Sequence, residues 1–225
     1  MNDMGFGKLD SDFATFKKRP KPELRYIKPP IWRETPERFL KYSIAEDLAR
    51  DLEIEKGSRV FVVLNGTFIA GDFIEALILC KGWKVPKLTI STLSLSENNV
   101  DSFAGLLDSG AVAKLDMIVS DYFYSHERHN LVPYMYKELD KDDRFQLAAA
   151  GTHCKIALIE TECGKKVCIH GSANLRSSGN IEQIVVEENG ELYDFNLEYQ
   201  SQIIERYKTI NKSIRHDKLW QAVQM

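Results

Sequence analysis

The sequence predicts an α/β fold in which a mostly parallel or mixed β-sheet is flanked by helices on both faces. Two observations favour this class. Short apolar segments rich in β-branched residues alternate with segments of helical periodicity, and Gly-, Ser- or Asp-containing connections separate them. Hydrophobic residues make up 44% and charged residues 28% of the 225 residues, which is typical of a globular protein with a sizeable core.

The N-terminal part differs in composition from the rest. We predict that residues 1–42 form a basic, proline-rich arm with the start of the first helix, and that residues 43–225 form the α/β domain. Between Lys17 and Lys41, nine basic and three acidic residues give a charge of +6, which leaves −9 for the remainder of a chain of net charge −3. Such an arm could follow a phosphate backbone, or it could pack against its own domain or a second copy.

The first predicted elements are a helix, a strand and a helix. Apolar residues at helical spacing and a proline in the first turn predict a helix over 35–53. The continuous apolar run RVFVVL predicts a buried strand over 59–64. A Gly-Asp pair then precedes a helix over 73–81, and this arrangement could hold an anion at the helix N-terminus.

The middle of the chain continues the alternation. Segment 88–95 has the alternating pattern of a strand, 98–107 is helical and ends before Asp-Ser-Gly, and 115–124 is a further strand. A helix follows over 131–139, and segment 145–150 leads into a hairpin. Strands and helices in this order imply a largely parallel sheet covered on both faces.

The last third contains a hairpin, a strand and a helix. A Gly-containing connection joins the β-prone segments 155–161 and 166–170, as in a β-hairpin. A third β-prone run covers 181–188, after a turn that contains serine and glycine. Residues 197–223 have the pattern of an amphipathic helix, which is expected to pack on the sheet.

Polar residues lie in pairs at the ends of the last three strands. The members of each pair are two positions apart, and residues at this spacing share one face of an extended chain. The pairs are His153 and Lys155, Ser172 and Asn174, and Asn180 and Glu182.

These groups suit chemistry on a phosphate ester. Lys155 can neutralise the anion, while the Ser172 hydroxyl and the Asn174 amide can bind its non-bridging oxygens. A neutral His153 can attack phosphorus and form a covalent phosphohistidine, and Glu182 can hold the other ring nitrogen. The leaving oxygen then needs a proton from a second group, most simply another histidine.

The order and spacing of these residues, H-x-K, then G-S-x-N, then N-x-E, resemble the HKD motif of the phospholipase D superfamily. The match covers about thirty residues, and the upstream pattern of strands and helices agrees loosely. Glu160 stands where the family usually has an aspartate, which is mostly structural there. The resemblance implies a phospholipase D-like fold and phosphodiesterase activity without a metal or other cofactor.

The resemblance also implies two HKD motifs around each active site, whereas this chain contains one copy. We therefore predict a homodimer with the site on its two-fold axis. The basic arm and the lack of an evident membrane face favour a nuclease, with DNA in preference to RNA as substrate and no membrane partner. The alternatives are a phospholipase or phosphatidyltransferase, and a nucleic-acid-binding module without activity.

Asn180 is predicted to contact the substrate, and so are three residues outside the polar pairs. Arg176 directly follows the G-S-x-N motif. His126 and Arg128 lie on a predicted loop between a strand and a helix, and such loops line the site in α/β folds. A solvated loop is the alternative for these two residues.

The sequence predicts a cytoplasmic protein. No apolar stretch approaches membrane-spanning length, and the N-terminal residues lack the apolar core of a signal peptide. Without a secretory signal, the four cysteines are expected to be free thiols. The spacing of Cys163, Cys168, His153 and His170 matches no common zinc pattern, so no metal is expected.

Overall fold

The structure is a computed structural model of the chain, and it describes residues 45–64, 66, 68–176 and 179–210. The predicted arm lies outside these residues, as does most of the helix predicted over 35–53. No helix in the described ranges is both long enough and apolar enough to span a bilayer. All four cysteines are free thiols, as predicted.

The described residues form six helices and seven strands. The helices are α1 (Ala45–Asp51), α2 (Ala70–Cys80), α3 (Glu97–Asp108), α4 (Asp121–Glu127), α5 (Leu131–Leu139) and α6 (Gly190–Tyr207). The strands are β1 (Arg59–Leu64), β2 (Lys87–Thr92), β3 (Leu115–Ser120), β4 (Phe145–Ala150), β5 (Ile156–Glu160), β6 (Lys166–Gly171) and β7 (Glu182–Glu188).

The strands form one mixed sheet in the order β1-β7-β6-β5-β2-β3-β4. Strand β3 is parallel to both of its neighbours, β2 and β4. The other four pairings among the described strands are antiparallel. The expectation of a largely parallel sheet is therefore wrong, and the mixed arrangement is confirmed. The hairpin β5–β6 and the following β7 run back and forth between β2 and β1 and make this half of the sheet antiparallel.

Helices cover both faces of the sheet, as predicted. Helices α1, α2, α3 and α5 pack together, and the main apolar core between them and the sheet includes Leu88, Met117 and Ile159. Helix α6 packs on the opposite face, over β3 to β6, where Leu158 and Cys168 are buried. Because strand residues alternate between faces, neighbours such as Leu158 and Ile159 belong to different layers.

Helix α4 replaces the end of a predicted strand. Residues 121–124 were expected to continue β3, but the Ser120 hydroxyl accepts a hydrogen bond from the backbone N–H of Phe123 at 3.1 Å. This side-chain cap starts a helix directly after the strand. The predicted loop with His126 and Arg128 is therefore mostly helical.

The last helix has different bounds from those predicted. It begins seven residues before position 197, at Gly190, because the Asn189 side chain accepts a hydrogen bond from Leu192 N–H at 3.1 Å. It ends at Tyr207, and the next residue, Lys208, forms a bridge to β4. The helix prediction therefore fails at 208–210, and its remainder lies outside the described residues.

A buried carboxylate joins three strands beside the layer formed by α6. The side chain of Glu187 is 5% exposed, and it accepts hydrogen bonds from Arg59 Nη2 at 2.8 Å and from His170 Nε2 at 3.1 Å. Burial alone would raise the pKa of Glu187, but the hydrogen bonds from Arg59 and His170 outweigh it and hold that pKa below its ordinary value.

Replacing Glu187 with glutamine is expected to lower the free energy of unfolding at neutral pH by about 1–2 kcal/mol, because Arg59 and His170 are both partly exposed. Since the folded-state pKa is depressed, the stabilisation is present above the unfolded-state pKa and is lost as the pH falls through the folded-state value. Urea unfolding between about pH 7 and about pH 3 checks this. The difference between wild type and Glu187→Gln should shrink towards acid, whereas the control Glu198→Gln, exposed in the middle of α6, should show none. A difference that is independent of pH would contradict it.

Candidate active site

The three predicted pairs of polar residues lie at one edge of the sheet. Strands β5 and β7 begin at this edge and β6 ends there, because β6 is antiparallel to both. Strands β1 and β2 end at the same edge. The chain therefore brings the first pair to the start of β5, the second to the end of β6 and the third to the start of β7.

Gly171 allows the second and third pairs to approach. A Cβ at this position would collide with the carbonyl oxygen of Gln183 and would lie 2.9 Å from Cα of Ile184. The backbones of β6 and β7 are therefore in close contact here, which only glycine permits. The next residue, Ser172, donates its backbone N–H to the Gln183 carbonyl at 2.9 Å.

The Ser172 side chain holds Glu182. Its hydroxyl donates to the Glu182 carboxylate and accepts a hydrogen bond from Gln183 N–H at 3.0 Å. The sequence predicted that Ser172 binds phosphate oxygens. In the structure its hydroxyl orients Glu182 instead, which the sequence did not predict. The Ser-to-Glu contact joins residues ten positions apart across a turn, and nothing in the local pattern indicates it.

Asn174, after the end of β6, has a buried side-chain oxygen without a hydrogen-bond partner in the described part of the chain. Strand β6 ends at Gly171, so the extended backbone assumed for Ser172 and Asn174 stops short of both. A buried unpaired acceptor is costly unless a ligand or a water molecule supplies a donor.

His153 and Lys155 form the connection between β4 and β5. The His153 side chain is exposed, and its ring makes no hydrogen bond to the residues that the structure describes. Lys155 is half-buried, and its Nζ donates to the carbonyl oxygen of His153 at 3.1 Å. The Thr152 hydroxyl accepts from Cys154 N–H at 3.1 Å, which fixes the turn that carries the histidine.

Two small adjoining clefts line this edge. The first has a volume of about 20 Å³ and includes Lys155, and the second has a volume of about 10 Å³. Ala70 and Ala173 line both clefts. The polar residues of the second cleft are Asn174, Arg176, Asn180 and Glu182. Volumes of this size accommodate little more than a water molecule, so a substrate must lie across an open surface.

Gly66 packs against the backbone of Gly179 and Asn180, a role that the sequence pattern did not predict. Its φ is +82°, and a Cβ there would lie 2.9 Å from the carbonyl carbon of Gly179 and 3.1 Å from the carbonyl oxygen of Asn180. The loop after β1 therefore packs directly on the residues before β7. An Asn-Gly pair after a strand was the available signal.

The anion site expected before the second helix is not supported. Helix α2 begins at Ala70 rather than at residue 73, and two N–H groups at its start already have protein acceptors. Gly71 N–H donates to the Leu175 carbonyl at 3.3 Å, and Ile69 N–H donates to the Asp72 carboxylate at 3.3 Å. The helix N-terminus thus anchors the segment after β6.

Helix α4 carries His126, and Arg128 directly follows it. Both side chains are exposed. The helix follows β3, whose end lies at the same edge of the sheet. No hydrogen bond or ion pair in the described part of the chain joins either residue to the three polar pairs.

No protein-family model matches the chain, and no curated relative matches its sequence. Solved structures do match. Phosphatidylserine synthase from Haemophilus influenzae superposes with a TM-score of 0.51 and 14% identity, covering 76% of this chain and 46% of that one. NucT from Helicobacter pylori has a TM-score of 0.49 and 14% identity, covering 69% of this chain and 100% of that one.

Nuc from Salmonella typhimurium, described as a phospholipase D family member, has a TM-score of 0.47 and 10% identity, covering 68% of this chain and 97% of that one. The match to the phosphatidylserine synthase, with its TM-score above 0.5, shows a phospholipase D-like fold. This confirms the fold that the motif implied. The chain spans less than half of the phosphatidylserine synthase it resembles, and at these identities the likeness concerns the phospholipase D-like fold alone.

Proposed function

We propose that the chain is a metal-independent phosphodiesterase, and specifically a nuclease, that acts through a covalent phosphohistidine at His153. One observation supports this most: three separate strand ends bring a histidine, a lysine, an asparagine and a serine-held glutamate to a single sheet edge. The phospholipase D-like fold agrees with phosphodiester chemistry at a coarse level.

The reaction proceeds in two displacements. Lys155 neutralises the charge of the non-bridging oxygens, the side-chain N–H of Asn174 donates to them, and a ring nitrogen of His153 attacks phosphorus. The N–P bond forms as the P–O bond to the leaving group breaks, and a second imidazolium gives the leaving oxygen its proton. The same imidazole then accepts a proton from water, whose oxygen attacks phosphorus and releases His153. Glu182, held by Ser172, stabilises a charged imidazole ring.

The second imidazole is that of His153 of the partner subunit. Within the described residues, His170 is engaged by Glu187, and neither His126 nor His129 is hydrogen-bonded to the polar pairs. A two-fold axis that passes beside the exposed His153 would supply an identical ring on the opposite side of the phosphate. The homodimer is therefore part of the proposal.

A nucleic acid is the substrate that we favour. The edge of the sheet is open, as a polymer requires, and the chain carries a segment of charge +6 between residues 17 and 41. Lipid phosphodiesters are the second candidate, because the structure with the TM-score of 0.51 is named a phosphatidylserine synthase.

A substrate panel in excess EDTA tests the function. Plasmid, single-stranded DNA, RNA and phosphatidylcholine vesicles are each incubated with the full-length protein. Cleavage of nucleic acid in chelator, with intact vesicles, is the expected result. Cleavage of phosphatidylcholine in the vesicles, with intact nucleic acids, would favour the phospholipase alternative. Gel shifts without cleavage would select the binding module, and activity that returns only with added metal would overturn the mechanism.

A further inference from the structure

Two exposed apolar side chains flank the candidate active site. Tyr122 is 72% exposed in the first turn of α4, and Ile181, 58% exposed, lies between Asn180 and Glu182. The other large exposed apolar residues among the described ones, Leu79, Phe195 and Tyr207, belong to α2 and α6. Tyr122 is thus an exposed aromatic ring on α4, which directly follows the end of β3 at the edge of the sheet that carries the three polar pairs.

The ring of Tyr122 is paired with that of His126. Their centroids are 4.0 Å apart and their planes are inclined by 35°. His126 Nδ1 donates to the Tyr122 carbonyl oxygen at 2.7 Å, and the Ser125 hydroxyl donates to the same oxygen at 2.9 Å. These bonds hold the histidine against the tyrosine, so the two rings form one preorganised aromatic surface.

This aromatic surface lies close to the turn that carries His153. The carboxylate of Asp121, which directly precedes Tyr122, lies 3.6 Å from the position of a Cβ on Gly151. Gly151 is two residues before His153. The Ser120 hydroxyl, which caps α4, also donates to the Leu93 carbonyl at 2.9 Å and fixes the helix to the loop after β2.

We propose that Tyr122 and His126 form a base-binding subsite beside the scissile phosphate, which makes single-stranded nucleic acid the substrate. This inference rests on the nuclease proposed above. Stacking on an exposed ring requires a base with an uncovered face, and in a duplex both faces of a base are covered by its neighbours. The exposed Arg128 after α4 adds a cation for the backbone of the same strand.

A second copy of the chain is the other possible occupant of this surface. The neighbours of Tyr122 favour the nucleic acid, because the exposed positions around the ring pair include Asp121, Ser125 and Arg128. A stable protein interface has an apolar centre depleted of charge. An exposed aromatic ring among charged and polar groups lacks such a centre, and it suits the stacking of an unpaired base.

Paired oligonucleotides test the subsite in the full-length protein. One is an ordinary single strand, and in the other tetrahydrofuran residues replace the nucleosides, so the phosphates remain and the bases are absent. Fluorescence anisotropy measures Kd, and gel analysis in EDTA measures cleavage. We expect wild type to bind the ordinary strand about tenfold more tightly than the abasic one. Tyr122→Ala should bind both equally, at the abasic level, and Tyr122→Phe should behave as wild type. Phe195→Ala, which removes a similarly exposed ring from α6, should also behave as wild type.

Other results separate this inference from the nuclease proposal. If base-dependent binding requires Tyr122 but neither strand is cut, the subsite stands and the catalytic proposal fails. If wild type cuts both strands but binds them equally, the nuclease stands and the subsite is overturned. A loss of affinity for both strands in Tyr122→Ala, accompanied by dissociation to monomers in sedimentation velocity, would assign the ring to a protein interface and overturn the subsite.

Discussion

Replacing His153 with alanine is expected to lower kcat for phosphodiester cleavage by at least about a thousandfold, because the variant lacks the nucleophile of the first displacement. Stability should not change by more than about 0.5 kcal/mol, since the ring is exposed and no described residue hydrogen-bonds to it. Initial rates in EDTA and urea unfolding curves, measured on the same preparations, check both parts.

His129→Ala is the matched control, because it removes an exposed histidine that has no role in the proposed chemistry. It should retain the wild-type rate. If His153→Ala cleaves at a rate within about tenfold of wild type, the phosphohistidine pathway must be abandoned. If it loses both rate and stability, the histidine has a structural role instead.

Replacing Gly171 with alanine is expected to lower the free energy of unfolding by about 2–3 kcal/mol, because the added Cβ meets backbone atoms of Gln183 and Ile184. Backbone cannot rotate aside as a side chain can, so β6 and β7 must separate where Ser172 and Glu182 meet. Displacing these groups should also lower kcat by about a hundredfold. Urea midpoints and initial rates in EDTA measure the two effects.

Gly105→Ala is the control for this substitution. Gly105 lies within α3, nothing lies within 4 Å of a Cβ built there, and alanine is the better helix former. This variant should be more stable than wild type by about 0.5–1 kcal/mol and fully active. A Gly171→Ala protein as stable and as active as wild type would show that the two strands tolerate separation at the site.

Local features of the fold could be predicted from the sequence, but the order of the strands could not. The hairpin of β5 and β6 was predicted from a Gly-containing turn, and Gly164 has the expected positive φ of +81°. Strand β7 pairs with β1, more than a hundred residues earlier in the chain. Such pairings depend on packing between distant segments, and no periodicity within 181–188 indicates which neighbour the strand takes.

In the candidate site, the positions of the polar residues could be predicted from the sequence, but the contacts between them could not. The positions of the polar pairs at strand ends predicted that they would lie at one edge of the sheet, because an antiparallel hairpin brings the start of one strand to the end of the next. The contacts that position them were not predictable. Ser172 reaches Glu182 only because Gly171 lets two backbones touch, and Tyr122 pairs with His126 only because Ser120 caps a helix where a strand pattern continues.

A purified heterodimer of one wild-type and one His153→Ala subunit, isolated through two different affinity tags, tests the two-histidine site most directly. Each phosphate should need His153 from both copies, so the heterodimer is predicted to cleave no faster than the His153→Ala homodimer. A heterodimer that retains about half of the wild-type rate would mean that each subunit acts independently, and it would contradict an active site shared across the two-fold axis.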